Sequence, residues 1–449
     1  MTPTRILVLG GGFGGIHAAI HLEKTFGRYP NVEITLVSRD NFFLFTPMLH
    51  EVAASDLDIT HIVSPIRTLL RRSAVFIGDV ESIDLKRRFV TVAHGFERHR
   101  HELGYDHLVV ALGSITNFYG LPGLEERALT MKTLGDAIHL RNRVIATLEE
   151  GDTECAAGKD GLLTFVVAGG GFAGVETLAG VNDFVREALK FYPHLSPERI
   201  RMVLVHSGPV ILPELGEKLG AYAQRKLAAR GVEIITNAKV ASVGELGVTL
   251  EDGRRIPSRL VVWTAGTSPH PLIHDLPCGL DRGRIVVDET LAVPGWPGVW
   301  ALGDCAVVPD RRTGRPHPPT AQHALREAKT VAANITGVLR GRAPVAFDFR
   351  TIGQLAAIGR RTGVARIFGF NFSGFPAWWL WRTIYLSKLP RFEKKVRVAL
   401  DWTLDIFFAK DLVQFLTDRA LTVSMEESAG GKPAAAVSAV ATERRVAAG

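Results

Sequence analysis

Ile6-Leu7-Val8-Leu9 is a short apolar run ending in Gly10-Gly11-Gly12-Phe13-Gly14-Gly15, after which Ile16, Ala19, Ile20 and Leu22 recur at near-helical spacing. The pattern predicts a strand, a tight turn and a helix. The arrangement returns in Phe165-Val166-Val167-Ala168, followed by Gly169-Gly170-Gly171-Phe172-Ala173-Gly174 and then Val175, Leu178 and Ala179. Apolar strands at Glu33 to Val37 and Met202 to Val205 complete the two units, as parallel βαβ connections require. Further strands are expected at Leu108 to Ala111, Val232 to Ile235, Val248 to Leu250 and Leu260 to Trp263. Ala321, Ala324, Leu325, Ala328, Val331, Ala332 and Ile335 predict a helix behind Pro318-Pro319, with Thr320 as its N-cap.

In Gly10-x-Gly12-x-x-Gly15 the first glycine permits the turn, the second admits a pyrophosphate to the backbone N–H groups, and the third lets helix and strand pack closely. The helix N-terminus then favours the phosphate charge. One such motif is weak evidence, since glycine turns also close βα connections; two, each between a strand and a helix, point to two dinucleotide sites. The residue that bonds a ribose falls about 20 residues onward, usually as a carboxylate. Here it is Ser38, beside Arg39, in the first site and His206 in the second. A serine hydroxyl can still bond a ribose. His206 removes the carboxylate that would repel a 2′-phosphate, yet no arginine follows it, so NADH and NADPH both stay open.

Length and composition narrow the reading. The 449 residues suffice for two or three domains, and 46% apolar with 22% charged residues is an ordinary globular balance. Cys155, Cys278 and Cys305 lie far apart, which supports neither a disulfide framework nor a cysteine-built zinc site. His17, His21 and His61 belong to no ligand constellation, and no metal is assigned. The first strand begins almost at Met1, leaving no room for a secretory signal, so the chain reads as cytosolic. The net charge is +7, without a nucleic-acid-binding module to use it. The stretch from Ser428 is rich in Ala, Gly and Ser and reads as a disordered tail.

Two dinucleotide folds in one chain imply FAD and a nicotinamide cofactor. The strand Val299-Trp300-Ala301-Leu302 leading to Gly303-Asp304 resembles the closing element of two-dinucleotide flavoproteins, in which the aspartate bonds the ribityl chain. Val110-Ala111-Leu112-Gly113-Ser114 and Thr264-Ala265-Gly266-Thr267 resemble the crossover segments of that group. Its disulfide reductases carry a cysteine pair after the first βα unit, where this chain has Asn41 to Ala53 without cysteine. That segment resembles the flavin-proximal loop of the type II NADH:quinone oxidoreductases instead, and the likeness runs from Arg5 to about Val423. Ala321-Gln322-His323-Ala324-Leu325-Arg326 is similar to the family's quinone motif A-Q-x-A-x-Q, with Arg326 in place of the second glutamine. The resemblance implies FAD contacts at Gly10, Gly12, Phe13, Gly14, Gly15, Ser38, Arg39, Ala111, Gly113, Gly303, Asp304, Ala321 and Gln322. It implies nicotinamide contacts at Gly169, Gly171, Phe172, Ala173, Gly174, Glu176, His206, Ala265 and Gly266. Gln322 is expected to face the flavin and bond a quinone carbonyl. Glu176, in the first turn of the second nucleotide helix, is expected to orient the nicotinamide or relay a proton, or else merely to suit the helix dipole.

Residues 374–410 hold seven Lys/Arg, three Asp/Glu and four of the seven tryptophans. A helix from Ala377 to Leu389 reaches only about 20 Å, short of a bilayer core. Phe392, Val396, Ala399, Leu400 and Phe407 form one stripe of a following helix, with Lys394, Lys395, Arg397, Asp401 and Asp405 as its polar positions. Tryptophans and cations beside an apolar face suit a membrane interface, whereas the plainer possibility is a subdomain that buries them against the body or a second protomer. The expected fold class is therefore α/β, with two Rossmann-like dinucleotide-binding domains, the second inserted in the first, plus a C-terminal amphipathic membrane-interface segment. The expected limits are 1–120 and 289–345 for the FAD domain, 121–288 for the NAD(P)H domain, 346–423 for the C-terminal segment and 424–449 for the tail. The function expected is a peripheral flavoprotein that takes hydride from NADH or NADPH into flavin N5 and passes two electrons to a membrane quinone at the cytoplasmic face, without proton pumping. A homodimer is allowed. The rival readings are a soluble reductase of an iron–sulfur protein and a flavin-bearing redox sensor.

Overall fold

The structure is a computed structural model describing residues 3–153 and 161–415; Cys155 and the expected tail from Ser428 lie outside the described residues. In chain order the first half supplies β1 (Thr4–Leu9), α1 (Phe13–Phe26), β2 (Val32–Ser38), α2 (Leu49–Ala53), β3 (Ala74–Ile77), β4 (His107–Val110), β5 (Ser114–Thr116) and α3 (Leu134–Asp152). The middle supplies β6 (Thr164–Ala168), α4 (Phe172–Ala188), β7 (Arg201–Val205), β8 (Val232–Ile235), β9 (Leu260–Trp263), β10 (Thr267–Pro269), β11 (Val299–Ala301) and α5 (Ala321–Leu339). The last part is a hairpin sheet, β12 (Gly353–Ala357), β13 (Gly363–Ile367) and β14 (Phe370–Gly374), then α6 (Phe375–Lys388) and α7 (Phe392–Phe407). All of these belong to the unit that ends at Leu412.

Two parallel sheets carry the fold. The first has the order β11-β4-β1-β2-β3, and the second β8-β7-β6-β9. Every residue of β4 and β6 is buried, the near-continuous apolar character of strands covered on both faces. Because β11 pairs with β4 in register Val299 to Leu108, the chain leaves the first sheet, builds the second and returns. It crosses out and back through β5 and β10, which pair antiparallel. A small sheet joins Leu280–Asp281, Arg284–Val286 and Ala306–Val307 and so bridges the expected limit at 288. The predicted strand at Val248 lies in a separate three-stranded antiparallel sheet of the second half.

The C-terminal segment inverts the usual amphipathic arrangement. On α7, Phe392, Val396, Leu400, Leu404 and Phe407 are exposed at i, i+4 and i+3 steps, with Phe392 81% and Phe407 75% accessible. The opposite face, Lys394, Val398 and Trp402, is buried against the body. Lys394 Nζ donates to the Thr60 carbonyl at 2.7 Å, and Asp401 accepts from the Asp58 N–H and pairs with His61. Of the expected polar positions, Lys394 and Asp401 thus hold the helix to residues 58–61. The tryptophans divide as well. Trp379 is exposed, Trp378 is half-buried under the Arg382 guanidinium, and Trp381 and Trp402 are buried donors. Pro376 lies in the first turn of α6 rather than preceding it, as suits a residue with no N–H to lose there. No helix among the described residues is long and apolar enough to cross a membrane.

The third glycine of each loop acts through close packing. A Cβ on Gly15 would collide with the Gly10 carbonyl oxygen, and one on Gly174 with that of Gly169. Both obstacles are backbone, so neither can turn aside. Gly15→Ala should therefore cost about 1–3 kcal/mol, as overpacking does, and lower both the melting temperature and the flavin content of purified protein. Unchanged melting and flavin content would show that the loop tolerates a wider turn.

Candidate active site

The two nucleotide folds and the returning segment enclose a cavity of about 930 Å³, within the range of cofactor sites. Its wall includes Gly10, Gly12, Phe13 and Gly14 of the first loop, Ser38 and Arg39 at the end of β2, and Ala111 and Gly113 of the crossover. Gly303, Asp304 and Ala321 come from the returning segment, and Phe172, Ala173, Glu176 and Gly266 from the second fold. Nothing lies within 4 Å of where a Gly12 Cβ would stand. A pyrophosphate can therefore approach that turn and the α1 N-terminus without displacing a side chain. Asp304 on the same wall offers acceptor oxygens to sugar or ribityl hydroxyls. These residues fit FAD.

The remaining expected contacts fall elsewhere. Gly15 and Gly174 sit behind their loops, while Gly169, Gly171, Ala265 and His206 belong to the second nucleotide fold, outside this wall. Ser38 Oγ donates to the Asp40 carbonyl at 2.7 Å, leaving lone pairs but no proton for a ribose. His206 Nδ1 accepts the Gly170 N–H at 3.2 Å, and burial lowers its pKa, so it is a neutral brace on the glycine loop and not a cation for a 2′-phosphate. Gln322 takes a different place from the other expected residues. It lies off the cavity wall, and its side-chain nitrogen donates to the Gly353 carbonyl of β12 at 3.1 Å. Ala321 and Ala324, to either side of it along the helix, face the cavity instead. Thr320 stands at the N-cap position, but its hydroxyl bonds His323 Nδ1 at 2.7 Å and not an orphan backbone N–H. Arg326 donates to the Gln322 carbonyl and lies 4.2 Å over the Phe349 ring, so it too serves the helix surface.

Glu176 is the site's most unusual acid. It is the fifth residue of α4, in the second turn, so the helix-dipole explanation for a first-turn acid does not apply to it. Its carboxyl group lines the cavity, is buried, and accepts the Ala357 N–H at 3.0 Å and the Trp381 indole N–H at 2.9 Å, both at Oε1. His50 Nδ1 stands 3.9 Å from Oε2. Burial outweighs the two donors and raises the Glu176 pKa to about 8, while burial alone pulls His50 down to about 3. Near neutrality the pair is therefore a protonated acid beside a neutral imidazole. Glu51, next along the chain from His50, repeats the device: burial raises its pKa, and Trp402 donates to its Oε2 at 3.1 Å. Composition flagged the tryptophans, but nothing along the chain assigned two of them to carboxyl groups 205 and 351 residues away.

A cavity built by two dinucleotide folds, with a carboxylate delivered by the returning strand, defines a two-dinucleotide flavoprotein. Residues 4–328 match the pyridine nucleotide-disulphide oxidoreductase family, and residues 352–411 match the NDH2 C-terminal domain. The chain is similar to the type II NADH:quinone oxidoreductase Ndh of Mycobacterium tuberculosis, at 34% identity over 92% of this chain and 90% of that protein. It is similar also to the demethylphylloquinone reductase NdbB of Synechocystis, at 32% identity over 89% and 95% of the two chains. In fold it resembles NDH2 of Plasmodium falciparum, solved in complex with NADH, with a TM-score of 0.84 at 19% identity, covering 91% of this chain and 99% of that one. The chain belongs to the type II NADH:quinone oxidoreductase family.

The buried pair gives stability a definite pH dependence. Glu176 has its folded pKa raised, so its contribution is complete below the unfolded carboxylate value and is lost as pH rises through about 8. His50 has its folded pKa depressed, so its contribution is present above about 6.5 and is lost as pH falls toward about 3. Glu176→Gln should make the alkaline limb shallower by Glu176's own share, at most about 5 kcal/mol of pH-dependent free energy, while the raised pKa values of Glu51 and Glu327 keep the remainder and the acid limb is unchanged. Urea midpoints of both proteins at pH 5 and pH 8 check this. An equal fall in the two proteins from pH 5 to pH 8 would mean that Glu176 is ionised in the fold.

Proposed function

We propose that this chain works as a peripheral membrane enzyme at the cytoplasmic face, oxidising NADH and reducing a quinone drawn from the bilayer. The activity is that of a non-pumping NADH dehydrogenase of the quinone type, with FAD as the cofactor. When bound, FAD accepts a hydride at N5 and passes two electrons on. The first glycine loop and the α1 N-terminus hold its pyrophosphate, Ser38 and Arg39 its ribose end, and Asp304 its ribityl chain. Phe172, Ala173 and Gly266 bracket the nicotinamide, and the second loop, Gly169 to Gly174, holds the rest of that cofactor. Glu176, protonated at neutral pH, orients the nicotinamide or supplies a proton to the reduced quinone. Gln322 supports the wall through Gly353 and leaves quinone contact to groups that face the cavity. The same reading carries the domain limits 1–120, 121–288, 289–345 and 346–423.

One observation carries the membrane part: α7 turns its apolar stripe outward while its polar face is bonded to the body. Five large apolar side chains in one row have nothing to gain from water, and an interface that buries them supplies the missing contact. Trp379 and the exposed Phe368, Phe370 and Phe375 extend the apolar surface beyond α7. A second copy of the chain is the other occupant such a surface suits. The soluble-reductase and sensor readings gain no comparable observation.

Anaerobic protein mixed with NADH should bleach the flavin band, and added quinone should restore it. A band that stays oxidised under NADH would end the reading. The double variant Leu400→Glu, Leu404→Glu should keep its melting temperature and its rate with a soluble quinone analogue. Its partition into anionic vesicles should fall at least about a hundredfold, because each leucine contributes about 1.5–3 kcal/mol when buried. Undiminished vesicle binding would place the contact elsewhere, and a shift from dimer to monomer without vesicle binding in either protein would assign the stripe to a second copy.

A further inference from the structure

Among the described residues, six Asp, Glu, Lys or Arg side chains line the flavin cavity: Arg39, Asp40, Asp79, Lys132, Glu176 and Asp304. Arg39 is largely exposed and 3.7 Å from Asp40, and Asp79 is paired with Arg98 at 3.3 Å. That leaves Lys132 as the cation available inside the cavity, and it is held in a particular way. Its Nζ donates to Ser114 Oγ at 2.8 Å, and the same hydroxyl donates to Asp304 Oδ2 at 2.8 Å. Three separated segments, the approach to α3, the start of β5 and the end of the returning strand, meet in this string. Burial lowers the Lys132 pKa and the Asp304 charge opposes that fall.

The main chain at Lys132 is fixed as firmly as the side chain. The N–H groups of Lys132 and Thr133 both donate to Asp136 Oδ2, at 2.7 and 2.9 Å, while Asp136 N–H donates to Thr133 Oγ1 at 3.1 Å. This capping box opens α3 and leaves Lys132 one residue ahead of the cap. On its other side Asp304 faces a further acid: Glu327 Oε2 accepts the Gly303 N–H at 2.7 Å, and burial raises its pKa to about 7. Asp304 thus lies within electrostatic reach of both a buried glutamate and a lysine. A dinucleotide entering this cavity adds two phosphate charges to a wall already rich in carboxylates.

We propose that Lys132 is a positioning residue for FAD: acting through Ser114, it holds the Asp304 carboxylate turned toward the cofactor's hydroxyls, and it offsets the negative charge that the pyrophosphate brings. An ionised carboxylate accepts from two hydroxyls at once, and hydrogen bonds of this kind are roughly twice as strong as neutral ones. Ser114 makes the link directional, because a hydroxyl that accepts from an ammonium has its proton free for the carboxylate. The inference rests on FAD being the cofactor.

The test measures FAD affinity rather than turnover. Purified wild-type protein and the variants Lys132→Met, Lys132→Arg, Asp304→Asn and Lys132→Met/Asp304→Asn are stripped of flavin. Each is then titrated with FAD by flavin fluorescence, and the flavin-free forms are melted to check the fold. Lys132→Met should bind FAD at least about tenfold more weakly, as loss of a charge-assisted contact implies, with little change in flavin-free melting. Lys132→Arg should recover most of the affinity. Asp304→Asn should cost distinctly less in the methionine background than in the wild type, because a carboxylate without its cation is no longer an asset. Lys132→Met binding FAD within about twofold of wild type, or the two losses simply multiplying, would overturn the proposal. If Lys132→Met does not fold, Ser114→Ala crossed with Asp304→Asn measures the same coupling through the middle of the string, and independent losses there would overturn the proposal equally. Wild-type protein that takes up no FAD at all would instead remove the cofactor assignment.

Discussion

Two carboxyl groups buried under two indoles hold the functional parts of this molecule together. Glu176 and Glu51 each occupy sites that ionise reluctantly, and each is met by one tryptophan N–H from the C-terminal helices. A buried acid with no donor would cost several kcal/mol, so α6 and α7 cannot leave without exposing or stranding both acids. Glu176 belongs to the second nucleotide helix and Glu51 to the flavin-proximal α2. The C-terminal helices thereby tie together the second nucleotide helix, α2 and the outer surface. Trp381 strengthens the junction by packing its ring against His50 at 5.4 Å and Tyr385 at 4.8 Å.

That junction explains why α7 carries its polarity backward. Its inner face must reach polar groups of residues 51–61, so Lys394, Asp401 and Trp402 are polar or donor-bearing where an ordinary surface helix would be apolar. Lys410 adds a bond to the Ala54 carbonyl at 3.1 Å and an ion pair with Asp56 at 2.6 Å. The outer face is left to hydrophobic residues, which an aqueous environment would not favour. An enzyme whose acceptor is dissolved in lipid has a use for that arrangement, because the C-terminal pair that presents the apolar stripe also braces the wall of the cavity.

The two glycine loops show a common solution with different ends. In each, the residue at or just past the end of the second strand lies over the middle of the three consecutive glycines: Ser38 against Gly11, His206 against Gly170. Neither supplies the carboxylate that usually binds a ribose. In the first site Asp304 and Lys132, linked through the Ser114 hydroxyl, come from other segments and bring charge to the wall. In the second, a neutral histidine stiffens the loop and offers no charge either way.

Glycine spacing and strand periodicity were enough to locate both nucleotide folds and the helix behind Thr320, because these depend on neighbours within about twenty residues, whereas the strand that returns at Val299 was identified by its resemblance to the closing element of two-dinucleotide flavoproteins. The two βαβ units were legible for that reason, and the residues expected from the family resemblance supply about a third of the cavity wall. The direction of Gln322 was not: a helix turns about 100° per residue, and only the packing of α5 against β12 decided that Ala321 and Ala324, rather than Gln322, face the cavity. The same holds for Lys132, which stood outside every motif, and for the four C-terminal tryptophans, which composition could group but not divide. The amphipathic stripe on α7 could be read from residue spacing alone. Which of its faces met the protein depended on the acids, amides and carbonyls waiting on distant segments, and burial of those groups is a property of the assembled structure.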